Sequence, residues 1–389
     1  MRRAAALIAL VPVLLAGMWL GGHSHVLPDP LQDLVTDDDV ATVNDALARV
    51  EDDFYREVRG RELADDAIRG AVQGLGDRFS MYLDEKDYRS FREATDARFS
   101  GIGVNVTQVG AGLRIGHVYP KSPALEAGLR QGDVIVAADG ERLGGKSEEA
   151  ATGLIKGPKG TPVTLTIRRG RTELRRRVVR AEISVPVVTS KRRTVDGRRY
   201  AHVRLSAFSS GAHAEVFKAV RAAVRDRAAG IVFDLRANGG GLVDEARLVA
   251  SAFLKEGEVV TTRGRSVSEQ VYRATGDPAA PDTPLVVLVD RATASASEIV
   301  AGALQDRKRA KLVGTRTFGK GVFQEVVELD NGGALDLTVG QYFLPSGRNL
   351  GGRGTSRGEG LEPDVEARDD PRTRRRDEAL ERAFATLAR

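Results

Sequence analysis

The chain has 389 residues, 41% hydrophobic and 29% charged, which is the composition of an ordinary globular protein long enough for two or three domains. It contains no cysteine, so disulfides, thiolate metal ligands and a cysteine nucleophile are excluded. The net charge of +5 is small for this length, and no nucleic-acid recognition motif accompanies it, so we expect no nucleic-acid partner.

The start of the chain has the pattern of an export signal. Two arginines precede an apolar stretch, Ala4–Leu20, that no charge interrupts. The stretch is short for a membrane span and long for the core of a signal peptide. Because no clear cleavage motif follows, we expect residues 1–22 to be a signal anchor rather than a cleaved signal peptide, with a linker at 23–36. The arginines favour a cytoplasmic N-terminus, which predicts an extracytoplasmic, membrane-anchored body, or a secreted one if the signal is cleaved.

Residues 37–98 are predicted to form a helical N-terminal region. Apolar residues recur there at intervals of three to five, and the aspartates at its start can cap a helix and complement its dipole. The glycines Gly74 and Gly76 interrupt this pattern before the next part of the chain.

Residues 99–185 carry three short motifs in order: Gly101-Ile102-Gly103, then Ser122-Pro-Ala-Leu-Glu-Ala-Gly-Leu129, then Gly132-Asp-Val-Ile135. Together they resemble PDZ domains. That resemblance implies that the backbone N–H groups of Gly101, Ile102 and Gly103 bind a peptide's terminal carboxylate. The strand that follows would pair with the extended peptide.

Residues 186–368 alternate between predicted strands and amphipathic helices, which indicates a mostly parallel sheet with crossover helices. Buried strands are predicted at 230–235, 285–289 and 311–314. Each leads into a polar or glycine-rich loop, and the carboxyl ends of parallel strands share one edge where ligands bind. The loops that should meet there contain Asn238–Gly241, Ser295 and Lys320.

Ser295 lies in Asp290-Arg-Ala-Thr-Ala-Ser-Ala-Ser-Glu298, between a predicted strand and a predicted helix. A serine there is exposed on a turn, beside the positive end of a helix dipole. It needs a base to become a nucleophile, and a lysine can serve if desolvation lowers its pKa. Lys320, in Gly319-Lys-Gly-Val-Phe-Gln324, is the candidate base.

These stretches resemble the carboxyl-terminal processing peptidases, which are endopeptidases with a Ser/Lys dyad. The resemblance implies that Ser295 is the nucleophile, Lys320 the base and Gln324 an amide that orients the lysine. It also implies an oxyanion hole formed by Ala296 and by a glycine of the glycine-rich loop, for which we choose Gly240, with Gly239 and Gly241 as close alternatives. Two departures from the family pattern, at Ala292 and Phe323, remove no chemical group.

The resemblance implies a multidomain α/β fold with an N-terminal helical region, a PDZ domain and a crotonase-like α/β serine protease core. Residues 369–389 would be a basic tail with a short helix. The expected partners are protein or peptide substrates, bound through their C-termini, and a membrane through the N-terminal segment. The N-terminal helices could support a homodimer or a higher homo-oligomer. The dyad needs no cofactor, and no metal site is expected.

Other functions are compatible with parts of the sequence. A non-catalytic PDZ scaffold would not need Ser295, Lys320 and Gln324 together. A crotonase-like acyl-CoA enzyme would share the sheet and the glycine loop, but would have no use for a PDZ unit or an export segment. A His-dependent triad is disfavoured, because none of the five histidines sits beside a catalytic motif.

Overall fold

The computed structural model describes residues 38–352, 355–370, 372–373 and 376–388, so the predicted signal anchor and linker lie outside the described residues. Within that part of the chain, no helix is both long enough and apolar enough to cross a membrane. The chain divides into two units, Met1–Asp84 and Glu85–Arg389. The finer domain boundaries drawn from the sequence stay predictions.

The first unit contains helix α1 (Asp38–Asp53), helix α2 (Gly60–Gly74) and a short strand β1 (Met81–Leu83). The hydroxyl of Tyr82 donates a hydrogen bond of 2.6 Å to Asp65, which ties β1 to α2. Helix α1 leaves Val40, Val43 and Val50 exposed. The predicted helical character of this region is confirmed, whereas its predicted role in oligomerisation stays a prediction.

The second unit opens with helix α3 (Glu85–Asp96), and a six-stranded antiparallel sheet follows. The elements of residues 98–184, in chain order, are β2 (Arg98–Gly101), β3 (Val104–Val109), β4 (Gly112–Val118), α4 (Pro123–Glu126), β5 (Val134–Ala138), β6 (Glu141–Arg142), α5 (Glu148–Ile155), β7 (Pro162–Arg169), β8 (Thr172–Val179) and β9 (Ala181–Ser184). Strands β3, β4, β5, β7 and β8 lie side by side in that order, and β6 pairs with β5. Strands β2 and β9 form a separate ribbon where the chain enters and leaves this part.

The core that follows is built on a second six-stranded sheet. Its elements are β10 (Val188–Val195), β11 (Arg198–Leu205), α6 (Ala212–Arg225), β12 (Ile231–Asp234), α7 (Val243–Ala250), β13 (Glu258–Gly264), β14 (Gln270–Arg273), β15 (Leu285–Val289), α8 (Ala296–Asp306), β16 (Lys311–Gly314), β17 (Val322–Glu328), β18 (Ala334–Phe343), β19 (Val365–Glu366) and α9 (Glu378–Leu387). The sheet order is β10, β11, β12, β15, β16, β19, and every pair after the first is parallel.

Both faces of this sheet are covered, which explains why its central strands are continuous apolar runs. On β12, Ile231 and Phe233 pack with helices α6, α7 and α8, whereas Val232 points into a cluster with α9. A smaller antiparallel sheet of β13, β14, β17 and β18 flanks this core. The predicted multidomain α/β fold class is confirmed.

Candidate active site

Three loops meet at one edge of the parallel sheet, because they follow neighbouring strands. The loop at 235–242 follows β12, the turn at 290–295 follows β15, and the loop at 315–321 follows β16. Strand β15 pairs with β12 on one side and with β16 on the other. The edge predicted from the sequence therefore contains the glycine-rich loop, Ser295 and Lys320.

Ser295 is half-buried at the N-terminal boundary of helix α8 and has an unusual backbone conformation, with φ 56° and ψ −121°. Few residues with a side chain adopt a positive φ, and such strain concentrates at functional sites. The conformation suits a serine on a sharp turn between a buried strand and a helix, where the hydroxyl is presented at the sheet edge.

Glu298 is the structural link between the loop that carries Ser295 and the loop that carries Lys320. One carboxylate oxygen accepts the N–H of Ser295 (3.0 Å) and of Lys320 (3.0 Å). The other accepts the hydroxyl of Thr317 (2.5 Å) and the N–H of Gly319 (2.7 Å). The side chain is fully buried; burial raises the pKa of Glu298, and the four donors oppose that rise.

Glu298 caps the start of helix α8 through its bond to the Ser295 N–H. Its three other bonds were not predicted from the sequence. These bonds join segments that are about twenty residues apart in the chain. The one signal in the sequence was a glutamate at the third position of a helix, which is typical of a capping residue.

The side chain of Lys320 is half-buried, and its Nζ donates a hydrogen bond of 2.6 Å to the amide oxygen of Gln324. The amide nitrogen of Gln324 in turn donates to the hydroxyl of Thr338 (2.8 Å). Gln324 lies on β17 and Thr338 on β18, so the lysine is held from a rigid hairpin. The structure thus brings Gln324 to Lys320, as the sequence resemblance implied.

Two further residues fix the backbone around Lys320. The hydroxyl of buried Tyr342 donates to the carbonyl of Lys320. Burial, together with the charge of Glu298, raises the pKa of Tyr342 well above its ordinary value, so this hydroxyl stays a donor. The amide of Asn349 donates to the carbonyls of Gly321 (2.7 Å) and Tyr342 (2.6 Å). Neither residue was singled out from the sequence.

Gly240 lies against the turn that carries Ser295. A methyl group added to it would come within 2.8 Å of Ser295 Cβ and 2.9 Å of the N atom of Ala296, and its φ is +105°. Only glycine fits there. In this conformation the N–H of Gly240 donates to the side-chain oxygen of Asn238 (2.9 Å). The two residues predicted to form the oxyanion hole, Gly240 and Ala296, are therefore adjacent, and the donor of Gly240 is engaged by Asn238.

The base of the glycine-rich loop is held by an ion-pair network. Arg236 donates to buried Asp234 (2.9 Å) and to Asp377, the N-cap of α9 (2.9 Å). Nε2 of His202 lies 2.9 Å from the carboxylate of Asp234. Burial alone would raise the pKa of Asp234, but hydrogen bonds from His202 and Arg236 and the charge of Arg236 outweigh it and lower the pKa to about 2. Asp234 and Arg236 therefore form a structural ion pair at the base of this loop.

The second predicted binding element lies far from these loops in the chain. Gly101 ends β2, Ile102 packs into the core of the antiparallel sheet, and Gly103 has a φ of +83°. All three residues are buried in this conformation. Strand β3 follows them and, among the described residues, pairs only with β4. Its other edge is available for a further strand, except where the N–H of Gln108 donates to Glu148 (3.1 Å).

Among the described residues, no group of three or more histidine, aspartate and glutamate side chains is arranged to hold a metal ion.

Comparison with known proteins finds the same arrangement of parts. The profile of peptidase family S41 matches residues 199–367, and a PDZ-domain profile matches residues 114–169. A carboxy-terminal-processing protease of Bartonella bacilliformis is 35% identical over 337 residues, covering 84% of this chain and 74% of that protein. A carboxyl-terminal-processing protease of a Picosynechococcus strain is 37% identical over 294 residues, covering 75% of this chain and 71% of that one. The solved structure of a photosystem II D1 C-terminal processing protease is 31% identical, with a TM-score of 0.50, covering 88% of this chain and 90% of that one.

Proposed function

This chain belongs to the carboxyl-terminal-processing proteases of peptidase family S41 and is a serine-type peptidase, and from that premise we propose that it is an exported endopeptidase. We propose further that it cleaves protein substrates near their C-termini and that Ser295 and Lys320 form its catalytic dyad. The hydrogen bonds of Glu298 carry the proposal. They join the backbone of Ser295 to the backbone of Lys320 through one buried carboxylate. A link of this kind fixes the positions of a nucleophile and its base relative to each other.

The proposed reaction proceeds in two stages. The uncharged amine of Lys320 accepts the proton of the Ser295 hydroxyl as the serine oxygen attacks the scissile carbonyl carbon. Lys320 then donates that proton to the leaving amine, which releases the C-terminal fragment and leaves an acyl-enzyme. In the second stage Lys320 activates a water molecule that hydrolyses the ester and regenerates Ser295. Gln324 orients the lysine through the bond to its Nζ.

The oxyanion formed at each stage requires donors beside Ser295. We propose the backbone N–H groups of Ala296 and Gly240, whose proximity to Ser295 supports this role. For Gly240 to donate, the side chain of Asn238 must release the N–H that it now accepts. Loss of one such donor typically costs about 3 kcal/mol of transition-state stabilisation.

The PDZ domain is proposed to capture the free C-terminus of the substrate. The terminal carboxylate would bind the N–H groups of Gly101, Ile102 and Gly103, and the peptide would add as a strand beside β3. The unpaired edge of β3 in the described part of the chain supports this mode.

Replacing Ser295 by Ala or Lys320 by Ala tests the dyad. Each change removes one partner of the proton transfer, so cleavage of an unfolded test protein should fall on the order of 1000-fold or more. Mass spectrometry of the released C-terminal fragments measures it. The matched control is Lys311→Ala, which removes an exposed lysine from the start of β16. Wild-type rates in both dyad variants would exclude this mechanism.

The extracytoplasmic location stays a proposal supported by the sequence of residues 1–22. Cell fractionation should find the full chain in the membrane fraction, with its body digested by protease added from the extracytoplasmic side. Recovery of an intact chain from the cytosol would contradict export.

A further inference from the structure

A cavity of about 520 Å³ lies against the loops that carry the proposed dyad. Its lining contains four arginines, Arg291, Arg316, Arg357 and Arg368, and among the described residues one carboxylate, Glu359. We call this cavity the arginine pocket. Its excess of positive charge is unusual, because guanidinium groups brought together repel one another unless anions compensate them.

A neighbouring cavity of about 370 Å³ provides a contrast. It shares Arg368 with the arginine pocket, and its described lining has as many carboxylates as arginines: Arg204, Arg236, Arg368, Asp290, Asp369 and Asp377. The described lining of that cavity is therefore balanced in charge, whereas the described lining of the arginine pocket is not.

Two of the four arginines already have carboxylate partners. Arg316 lies 3.2 Å from Glu362, and Arg368 lies 2.6 Å from Glu366. In the described part of the chain, Arg291 and Arg357 have no ion-pair partner. These two side chains therefore provide the uncompensated charge of the pocket.

Arg357 is held in place although no carboxylate pairs with it. Its guanidinium lies 4.8 Å from the centre of the Phe318 ring, and its Nε donates to the carbonyl of Phe318 (2.8 Å). Stacking of this kind fixes the planar group while leaving its terminal nitrogens to donate elsewhere. A preorganised arginine is suited to a bidentate bond with a carboxylate.

The pocket is connected to the catalytic loops by short stretches of chain. Arg291 lies four residues before Ser295, in the same turn. Thr317, which also lines the pocket, donates its hydroxyl to Glu298, the link between the two loops. The N–H of Gly358 donates to the carbonyl of Gly319 (2.9 Å), beside Lys320.

We propose that the arginine pocket binds a carboxylate of the polypeptide substrate, from an aspartate or glutamate side chain near the bond that is cleaved. This inference rests on the proposed function, because it assigns the anion to the chain held at Ser295. The pocket would act as a specificity subsite and would favour substrates with an acidic residue at a fixed distance from the scissile bond.

Matched peptides test the subsite. A series of peptide substrates is prepared in which a single glutamate is placed at each position in turn and the other side chains are uncharged. For each of these peptides, a control peptide has glutamine in place of the glutamate. At one or two neighbouring positions, glutamate should raise kcat/KM about tenfold over glutamine, as expected for a charge-assisted bond. In the double variant Arg291→Gln with Arg357→Gln, the kcat/KM of each glutamate peptide divided by that of its glutamine counterpart should fall to about 1.

The control double variant is Arg193→Gln with Arg198→Gln. It removes the same charge from exposed positions on β10 and β11, at the opposite end of the sheet from the catalytic edge. It should keep the glutamate preference. Binding of the same peptides to the Ser295→Ala protein, measured by fluorescence anisotropy, should show the preference without any cleavage.

These measurements separate failure of the subsite from failure of the protease. Equal cleavage and equal binding of glutamate and glutamine peptides at every position would overturn the subsite while leaving the proposed peptidase intact. If the wild-type protein cleaved none of the peptides but the Ser295→Ala protein still bound glutamate peptides more tightly than glutamine peptides, the result would support the pocket and count against the dyad. If the double variant instead lost only its binding to vesicles containing phosphatidylglycerol, the pocket would be a lipid site and the proposal would be wrong.

Discussion

At the scale of single residues, the site depends on strain at Ser295 and on the absence of a side chain beside it. Two neighbours hold Ser295 in its strained positive-φ conformation. The carboxylate of Glu298 accepts its N–H, and the backbone of Gly240 lies against its Cβ. A change in either neighbour should therefore reduce activity without any change to the serine or the lysine.

Gly240→Ala should lower kcat by about 100-fold or more. The added methyl group would meet Ser295 Cβ and Ala294 O at 2.8 Å, and alanine disfavours a φ of +105°. Steady-state kinetics on a peptide substrate measures the effect. Gly239→Ala is the matched control, because a methyl group there has open space. Equal losses in the two variants would show that flexibility of the loop matters, and not the contact with Ser295.

Glu298→Gln should lower kcat by about 100-fold with a smaller effect on KM. An amide nitrogen would replace one of two acceptor oxygens and would face two donors, which disturbs the loops of Ser295 and Lys320 together. Kinetics and thermal unfolding should be measured on the same preparation. The control Glu325→Gln removes an exposed carboxylate from β17. A fully active, folded Glu298→Gln protein would contradict the linking role.

At the scale of elements, helix α9 stabilises the glycine-rich loop from the far side of the sheet. Its residues Leu380 and Phe384 pack on Val232 and Val286, and its N-cap Asp377 pairs with Arg236. Arg236 also forms an ion pair with Asp234, which lies at the end of β12. The C-terminal part of the chain therefore contributes to the shape of the catalytic edge, although it carries no catalytic residue.

This network should make stability depend on pH in the acid range. The pKa of Asp234 is lowered to about 2, so its stabilisation is complete above the ordinary pKa of about 4 and is lost as the pH falls from there toward 2. The contribution is about 2 kcal/mol. Urea unfolding between about pH 6 and about pH 3 measures it, with Asp234→Asn as the comparison. An equally steep loss of stability in that variant would assign the effect to other carboxylates.

At the scale of the whole molecule, the protein combines a PDZ domain with a peptidase core. If the PDZ domain captures a free carboxylate, an amidated substrate should lose affinity because the amide carries no charge for the N–H groups of the loop. We expect kcat/KM to fall about tenfold on amidation. The control is a peptide amidated on an internal glutamate, with its terminus free. Equal rates for acid and amide would contradict capture by the terminus.

Much of the fold followed from local patterns. The strands at 285–289 and 311–314 were predicted at their observed bounds, because a strand buried on both faces must be a short, unbroken apolar run. Helix α7 ends at Ala250 although apolar residues continue at 252–254, since a helix end is decided by packing as well as by periodicity. Gln324 was expected beside Lys320 from the family motif, and the structure places it on a strand that holds it there.

The sequence by itself determined the class of protein, the order of its parts and the edge of the sheet where the site lies. Those features depend on residue period and on motifs that are continuous along the chain. Only the tertiary structure decided that Glu298 bonds to the loops of both Ser295 and Lys320, that Gly240 touches Ser295, and that four arginines from separate loops line one cavity. The reason is that such contacts are set by the pairing of strands and the packing of loops, which bring together residues whose separation in the chain gives no local signal.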